Sequence, residues 1–431
     1  MSKSMMSSTL AKRILYFSIG TLVASSLAHA KFYVNSICHM KTNDKQRVIS
    51  GDDNKSKKYP LASLSKIATT LWAIEKLGVD YRHTTKIHIT EIAQGSYDVH
   101  IEGSRDPFFG QRMGYFLISE LNKLKINKIE RLTFDENFLL KWAVESPVVA
   151  GGTTANFETI EQQVRYIKKS LEVDFASPIS MTAYKRLRNL TPVKMTPNPS
   201  MDVRHIDFIS RSSYQRSGNT RTFVLRSAPL VTVLKKMNNQ SNNYIADHLY
   251  WNMGGTEAFT QFIQKKLSFT SQDLVFYNGS GNNDGSSQAP IYNMGSCESV
   301  IKTIYALDRE LVQRGKTLED VIAVSGVDQD STVKNFPLEG SMTAKTGTVN
   351  KAKTLAGTIA TTEGELIFAI LLHTDGPSDW GSAHNSILRR VQQIAQDLGG
   401  AIRMGYKEIR TLPFDEMSQL VEESSLLNKA P

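Results

Sequence analysis

What most limits how this chain can fold is a change of texture in its middle. Apolar side chains at Leu64, Ile67, Ala68, Leu71, Trp72 and Ile74 recur at helical spacing, and Gly78 closes that helix. From Val79 to about Phe223, short alternating stretches such as 86–90 and 131–134 read as strands. Loops such as Ala150-Gly151-Gly152-Thr153-Thr154 and the segment 192–200 separate them. Helical spacing then returns at Leu230, Val233, Leu234 and Met237, and again at Ile245, Ala246 and Leu249. Two strands, 354–361 and 365–374, meet at a Glu363-Gly364 turn, and a last helix through Ile387, Leu388, Val391, Ile394, Ala395 and Leu398 stops at Gly399-Gly400. The expected class is α+β. Residues 31–78 and 225–405 form one discontinuous domain, an antiparallel sheet covered by helices, and residues 79–224 form an inserted strand-rich domain. A chain of 431 residues has room for both. The tail, 406–431, has weak helical periodicity and an acidic polar side (Asp415, Glu416, Glu422, Glu423), and reads as a soluble helix or a frayed end.

The first thirty residues stand apart. Lys3, Lys12 and Arg13 precede an apolar run from Ile14 to Leu27, and Ala28-His29-Ala30 has the small-x-small form of a cleavage site. This is the pattern of a secretory signal peptide, which implies export and no stable membrane anchor once it is cleaved. The run is short for a full membrane span. After export Cys38 and Cys297, the only two cysteines, are free to pair, but their spacing does not say whether they meet. Removing residues 1–30 takes three positive charges from the net +9, leaving +6, an excess that is modest and scattered, and no Lys/Arg cluster interleaved with aromatics argues for nucleic acid. No C-x-x-C or paired-His spacing marks a metal site. His83, His88 and His100 share a stretch but no ligand spacing, and nothing implies a cofactor.

Chemistry enters at Ser63-Leu64-Ser65-Lys66, an S-x-x-K motif at the start of the first helix. Positions i and i+3 lie on one helical face, so the lysine amine reaches the serine hydroxyl one turn away. The motif alone proves little, since Ser299-Val300-Ile301-Lys302 and Ser331-Thr332-Val333-Lys334 also fit it. Two companions break the tie. Ser241-Asn242-Asn243, an S-x-N motif, precedes a helical stretch. The other matches, Ser217-Gly218-Asn219 and Ser280-Gly281-Asn282, lie in Gly/Asn-rich stretches that read as turns. Lys345-Thr346-Gly347-Thr348 holds the only K-T-G of the chain and runs into extended sequence. Asn243 offers an amide that both donates and accepts, Ser241 a hydroxyl for proton relay, Lys345 a fixed charge, and Thr346 and Thr348 hydroxyls for a carboxylate. Gly347 allows close backbone approach. For Lys66 to act as a base it must be neutral, which in water at pH 7 costs about 4.6 kcal/mol. Burial and a second cation lower that cost. Lys345 is the candidate cation, expected to stay charged.

S-x-x-K, S-x-N and K-T-G in this order are the signature of penicillin-recognising serine enzymes. The chain resembles the penicillin-binding protein 4 type of D-Ala-D-Ala carboxypeptidase/endopeptidase. Gly103-Ser104-Arg105-Asp106-Pro107 is similar to that family's G-x-x-D-P segment, Tyr277-Asn278-Gly279-Ser280-Gly281 to its N-G-S-G segment, and Leu355-Ala356-Gly357 to the strand after K-T-G. The long insertion after Lys66 matches the family plan but is shorter than in its largest members. Asn242 stands where Asp is common.

The resemblance implies a DD-peptidase/β-lactamase-like catalytic domain and a periplasmic enzyme acting on peptidoglycan stem peptides and cross-links, with β-lactams as covalent inhibitors. Ser63 would be acylated and Lys66 would be the general base. Ser241 would protonate the leaving amine, and Asn243 would hold the substrate amide. Lys345, Thr346, Gly347 and Thr348 would bind the carboxylate side, and the backbone N–H groups of Ser63 and Thr348 would form the oxyanion hole. Endopeptidase and carboxypeptidase differ only in leaving group, and the shorter insert tilts towards endopeptidase. Two other readings stay open: a β-lactamase or esterase on the same scaffold, and an inactive wall-binding protein. Against the first, no E-x-x-L-N lies between Asn243 and Lys345, and Ser241 stands where a class C lactamase has Tyr.

Overall fold

The computed structural model describes residues 35–151, 159–175, 179–285 and 288–427. The signal-peptide segment 1–30 and residues 152–154 of the glycine-threonine loop lie outside the described residues.

Early and late stretches of the chain meet in one sheet. Five antiparallel strands run in the order Met342–Val349, Ala352–Thr361, Gly364–His373, Asn35–Lys41 and Ser50–Gly51. Asn35–Lys41, the first described strand, pairs along its whole length with Gly364–His373. The run from Leu366 to Leu372 is buried without interruption, the mark of a strand covered on both faces. Ala356, Ile367, Ala369 and Leu371 share a core with the helices Ser65–Leu77 and Cys297–Gln313. The alternate side chains face the other way, and the helix Trp380–Asp397 packs on Ala352–Thr361. A disulfide between Cys38 and Cys297 ties the first strand to the start of Cys297–Gln313. The strand Met342–Val349 is left at the sheet edge.

The inserted residues, with Val421–Glu422 from the tail, build a second sheet in the order Val421–Glu422, Arg221–Arg226, Thr84–Ala93, Ser96–Glu102, Lys128–Phe134 and Asp202–Phe208. The last two pairings are parallel. A parallel neighbour needs a crossover, and the helix Gln111–Lys123 supplies it between Ser96–Glu102 and Lys128–Phe134. With Ile160–Ser170 and Met181–Leu190 also helical, the insert is mixed α/β rather than simply strand-rich. It has its own core around Ile87, Val99, Phe116, Leu132, Phe134 and Tyr184. His88 and His100 are buried here in a stack with Tyr214, bonded to Thr222 and Thr133.

Two expected boundaries shift. The junction placed between 224 and 225 falls inside the strand Arg221–Arg226, which belongs to the second sheet. The tail is not a separate end. Val421–Glu422 pairs with that strand, Phe414 stacks on Phe116 at 4.2 Å, and Arg82 makes a paired contact with Asp415. Its apolar positions are too few and too spread out to reveal this in sequence.

The disulfide closes a loop of 259 residues. Replacing Cys38 and Cys297 together by Ser is expected to lower stability by about 2–5 kcal/mol in urea unfolding. An unchanged midpoint would show that the sheet and helix hold without the link.

Candidate active site

The nucleophile turn is placed by a small three-stranded sheet, Lys58–Pro60 with Met294–Ser296 and Leu274–Val275. From Pro60 the chain enters a tight turn, Ala62–Leu64, and then the helix Ser65–Leu77. Ala62 has φ of 49°, in the left-handed region. A side chain held there is strained and persists only where its surroundings fix it. Two glycines show how closely they do. A Cβ on Gly281 would lie 1.9 Å from the Ala62 carbonyl, and one on Gly347 would lie 2.9 Å from the Ala62 Cβ and 2.3 Å from Thr354 Oγ1. The K-T-G glycine is therefore required so that the edge strand can press on the turn carrying Ser63. Thr354 Oγ1 donates to the Leu61 carbonyl at 3.2 Å and completes that seam.

Lys66 is fully buried one turn beyond Ser63. Its Nζ lies 2.9 Å from Ser63 Oγ, 2.7 Å from Asn243 Oδ1 and 3.0 Å from the Ser280 carbonyl. Three acceptors match an ammonium's three donors. The same positions serve a neutral amine, which donates to Asn243 and Ser280 and offers its lone pair to the Ser63 hydroxyl. Burial brings Lys66 down from its ordinary value to about 7, against the upward pull of Asp247. Asp247 is itself raised to about 7 by burial, against the downward pull of Lys66.

Ser241 also stands in the left-handed region, with φ of 56°. Asn242 caps the helix Asn243–Asn252 by accepting the Ile245 N–H. Its Nδ2 donates to the Val144 carbonyl at 2.8 Å. An Asp at this position caps equally well but has no donor for Val144, so the departure from the common Asp adds a tie to the insert. Lys345, fully buried on the edge strand, donates to Ser241 Oγ at 2.8 Å and to the Thr346 carbonyl at 2.9 Å. Two pressures act against the charge expected on Lys345. Burial pushes it well below its ordinary value and the neighbouring Lys66 pushes the same way. A substrate carboxylate arriving beside it would favour its charged form.

The structure thus brings Ser63, Lys66, Ser241, Asn243, Lys345, Thr346, Gly347 and Thr348 together. A cleft of about 270 Å³ is lined by Ser63, Ser241, Asn243, Thr346 and Thr348, with Pro147 and Gly151 of the insert as one wall. A larger cleft of about 470 Å³, beside Pro229 and Phe414, has none of these groups. Three contributors escaped sequence reasoning. Thr332, inside a discounted S-x-x-K match, bonds Thr346 through their hydroxyls at 2.8 Å. Ser280, inside a discounted S-x-N match, is indeed in a turn, yet its carbonyl receives Lys66. Asp247 lies one helical turn from Asn243, an i+4 spacing that was readable. The remaining S-x-x-K match does other work, since Ser299 caps its own helix with Ser296.

A model of the D-Ala-D-Ala carboxypeptidase 3 (S13) family matches residues 206–393, which hold the second and third motifs. No curated protein matches the chain. Among solved structures, it is similar to Bd3459, a predatory peptidoglycan endopeptidase from Bdellovibrio bacteriovorus. Identity is 51%, over 91% of this chain and 99% of that one, with a TM-score of 0.87. Bd3459 has also been solved acylated by penicillin G, in complex with the immunity protein Bd3460. Bd0816, a predatory endopeptidase of the same organism solved in complex with Bd3460, is 51% identical over 90% of this chain and all of its own, with a TM-score of 0.88. Penicillin-binding protein 4 from Haemophilus influenzae shares the fold at 16% identity, over 85% and 96% of the two chains, with a TM-score of 0.56.

Two expectations follow from the geometry. A base at Lys66 works only when neutral. Acylation by a β-lactam is therefore slow below pH 7, rises as Lys66 loses its proton near 7, and levels off above. A flat rate from pH 5 to 8, followed by stopped-flow fluorescence, would contradict this. Gly281→Ala, forced against the Ala62 carbonyl at φ of 76°, is expected to cost about 1–3 kcal/mol in urea unfolding and to slow acylation.

Proposed function

Because the chain belongs to the S13 family of D-Ala-D-Ala carboxypeptidases and is a serine peptidase of peptidoglycan, we propose that Ser63 is its nucleophile and Lys66 the base that activates it. The observation that carries this is the 2.9 Å approach of Lys66 Nζ to Ser63 Oγ, inside a cleft that also holds Ser241, Asn243 and the Lys345-Thr346-Gly347 strand. Ser63 Oγ attacks the carbonyl of the D-alanyl bond and its proton passes to Lys66. The backbone N–H groups of Ser63 and Thr348 hold the oxyanion. As the C–N bond breaks, Ser241 hands a proton from the lysine pair to the departing amine. Asn243, which also orients Lys66, holds the substrate amide. Lys345, Thr346 and Thr348 receive the carboxylate side. Water, deprotonated by Lys66, then releases the acyl group.

Within that chemistry the reading favours endopeptidase action on cross-links over trimming of stem peptides. Its support is the activity named for the 51% identical Bdellovibrio relatives. β-Lactams enter the same cleft as covalent inhibitors, by analogy with the penicillin-acylated relative. An immunity protein is a partner of the kind to look for, since those relatives are held by one. The reading places the enzyme in the periplasm. The leader at residues 1–30 and the Cys38–Cys297 disulfide both suit an oxidising compartment outside the cytoplasm.

Digestion of purified cross-linked wall, with fragments separated by chromatography, tests the choice of bond. Cross-linked dimers are expected to disappear with wild-type protein and to persist with Ser63→Ala, whose rate should fall by roughly a thousandfold or more. Intact dimers beside trimmed pentapeptides would overturn the endopeptidase preference.

A further inference from the structure

Asp247 is 3% exposed and lies one helical turn beyond Asn243 on the helix Asn243–Asn252, so both side chains share a face. Asn243 meets Lys66 directly. Asp247 reaches it through the backbone of one residue, Ser280. Its Oδ1 accepts the Ser280 N–H at 2.7 Å, and the carbonyl of that same Ser280 accepts from Lys66 Nζ at 3.0 Å.

The turn between them has little freedom. Asn278 Oδ1 accepts the Gly281 N–H at 2.7 Å and its Nδ2 donates to the Asn282 carbonyl at 3.0 Å. Thr69 of the nucleophile helix donates to the Gly279 carbonyl at 2.8 Å. A Cβ on Gly279 would meet the Ala246 carbonyl at 2.3 Å, while one on Gly281 would meet that of Ala62. The turn is thus wedged between the helix bearing Asp247 and the turn bearing Ser63. Displacing the Ser280 backbone moves an acceptor of Lys66 and the wall behind Ser63 together.

We propose that Asp247 is a positioning residue for the DD-peptidase reaction: by holding the Ser280 backbone through its N–H it fixes the Lys66 amine against Ser63, and its charge sets how firmly that amine keeps the proton it takes. The proposal rests on the reading of Lys66 as the base. A neutral side chain could accept the Ser280 N–H without the cost of burying a carboxylate, so a carboxyl at this place points to an electrostatic role as well as a mechanical one. The charged and titratable groups around it are Lys66 on the nucleophile helix, Asp284 on the loop after the turn and Tyr250 on its own helix. Lys345 lies beyond Lys66 on the edge strand. An ionised Asp247 favours the protonated form of Lys66, so removing its charge makes Lys66 give up its proton at lower pH.

The test is the rate of acylation by a fluorescent penicillin between pH 5 and 9, for the wild type, Asp247→Asn, Asp247→Ala and Lys66→Ala. Asp247→Asn keeps an oxygen for the Ser280 N–H. It should retain most of the plateau rate, with its acid limb moved down by about one pH unit. Asp247→Ala removes the acceptor of the Ser280 N–H, leaving the turn to Asn278 and Thr69, and should lower the plateau rate about a hundredfold. An Asp247→Asn profile that superimposes on the wild type would overturn the proposal, as would wild-type rates in Asp247→Ala. Should the alanine variant fail to fold in a melting curve, the isosteric asparagine profile decides alone. Near-normal acylation by Lys66→Ala would overturn the base assignment itself, and the proposal with it.

Discussion

The cleft depends on burying the amine of Lys66. A lysine stripped of water loses several kcal/mol of ion solvation, and the fold offsets that with three fixed acceptors rather than with a direct carboxylate partner. Two of those acceptors, Asn243 Oδ1 and the Ser280 carbonyl, come from segments about 180 and 210 residues away. Each must be delivered accurately, and the surrounding strain reflects this. Ala62 and Ser241 both occupy left-handed backbone, and Gly281 and Gly347 let neighbouring chains close on the serine turn. Had Lys66 been paired tightly with a carboxylate, its proton would have been held too firmly for a base at neutral pH.

That demand explains why the domain is assembled from distant pieces. The edge strand bearing Lys345 is positioned by its neighbours Ala352–Thr361 and Gly364–His373, and the latter is held on its far side by Asn35–Lys41. The disulfide fixes Asn35–Lys41 to the helix that packs against Ser65–Leu77. The insert has its own core and sheet, yet it is not a passive appendage. The helix Pro147–Gly151 forms a wall of the cleft, and the Val144 carbonyl takes a hydrogen bond from the residue between Ser241 and Asn243.

Much of this was legible in the sequence because it rests on local rules. Helical spacing after Ser63 fixed Lys66 on the correct face, extended residues after Lys345-Thr346-Gly347 marked a strand, and the order of the motifs singled out Ser63 among three candidates. What was not legible depends on long-range pairing. No periodicity announces that Val421–Glu422 joins Arg221–Arg226, or that the Met342–Val349 strand lies at a sheet edge. Ser280 was read correctly as part of a turn, but its function lies in a backbone carbonyl, and every residue has one. Thr332 belonged to a motif set aside as a nucleophile, and reached the cleft for another reason. The pressure that burial puts on the Lys345 charge was not legible either, because burial is a property of the packed fold.

The central claim is that Ser63, and neither Ser299 nor Ser331 of the other S-x-x-K matches, carries the acyl group. Peptide mapping by mass spectrometry after brief exposure to benzylpenicillin tests it most directly. The account predicts one penicilloyl adduct, confined to the peptide containing Ser63 and absent from the Lys66→Ala protein at the same exposure. An adduct on the peptide of Ser299 or Ser331, or a full-strength adduct on Ser63 without Lys66, would contradict it.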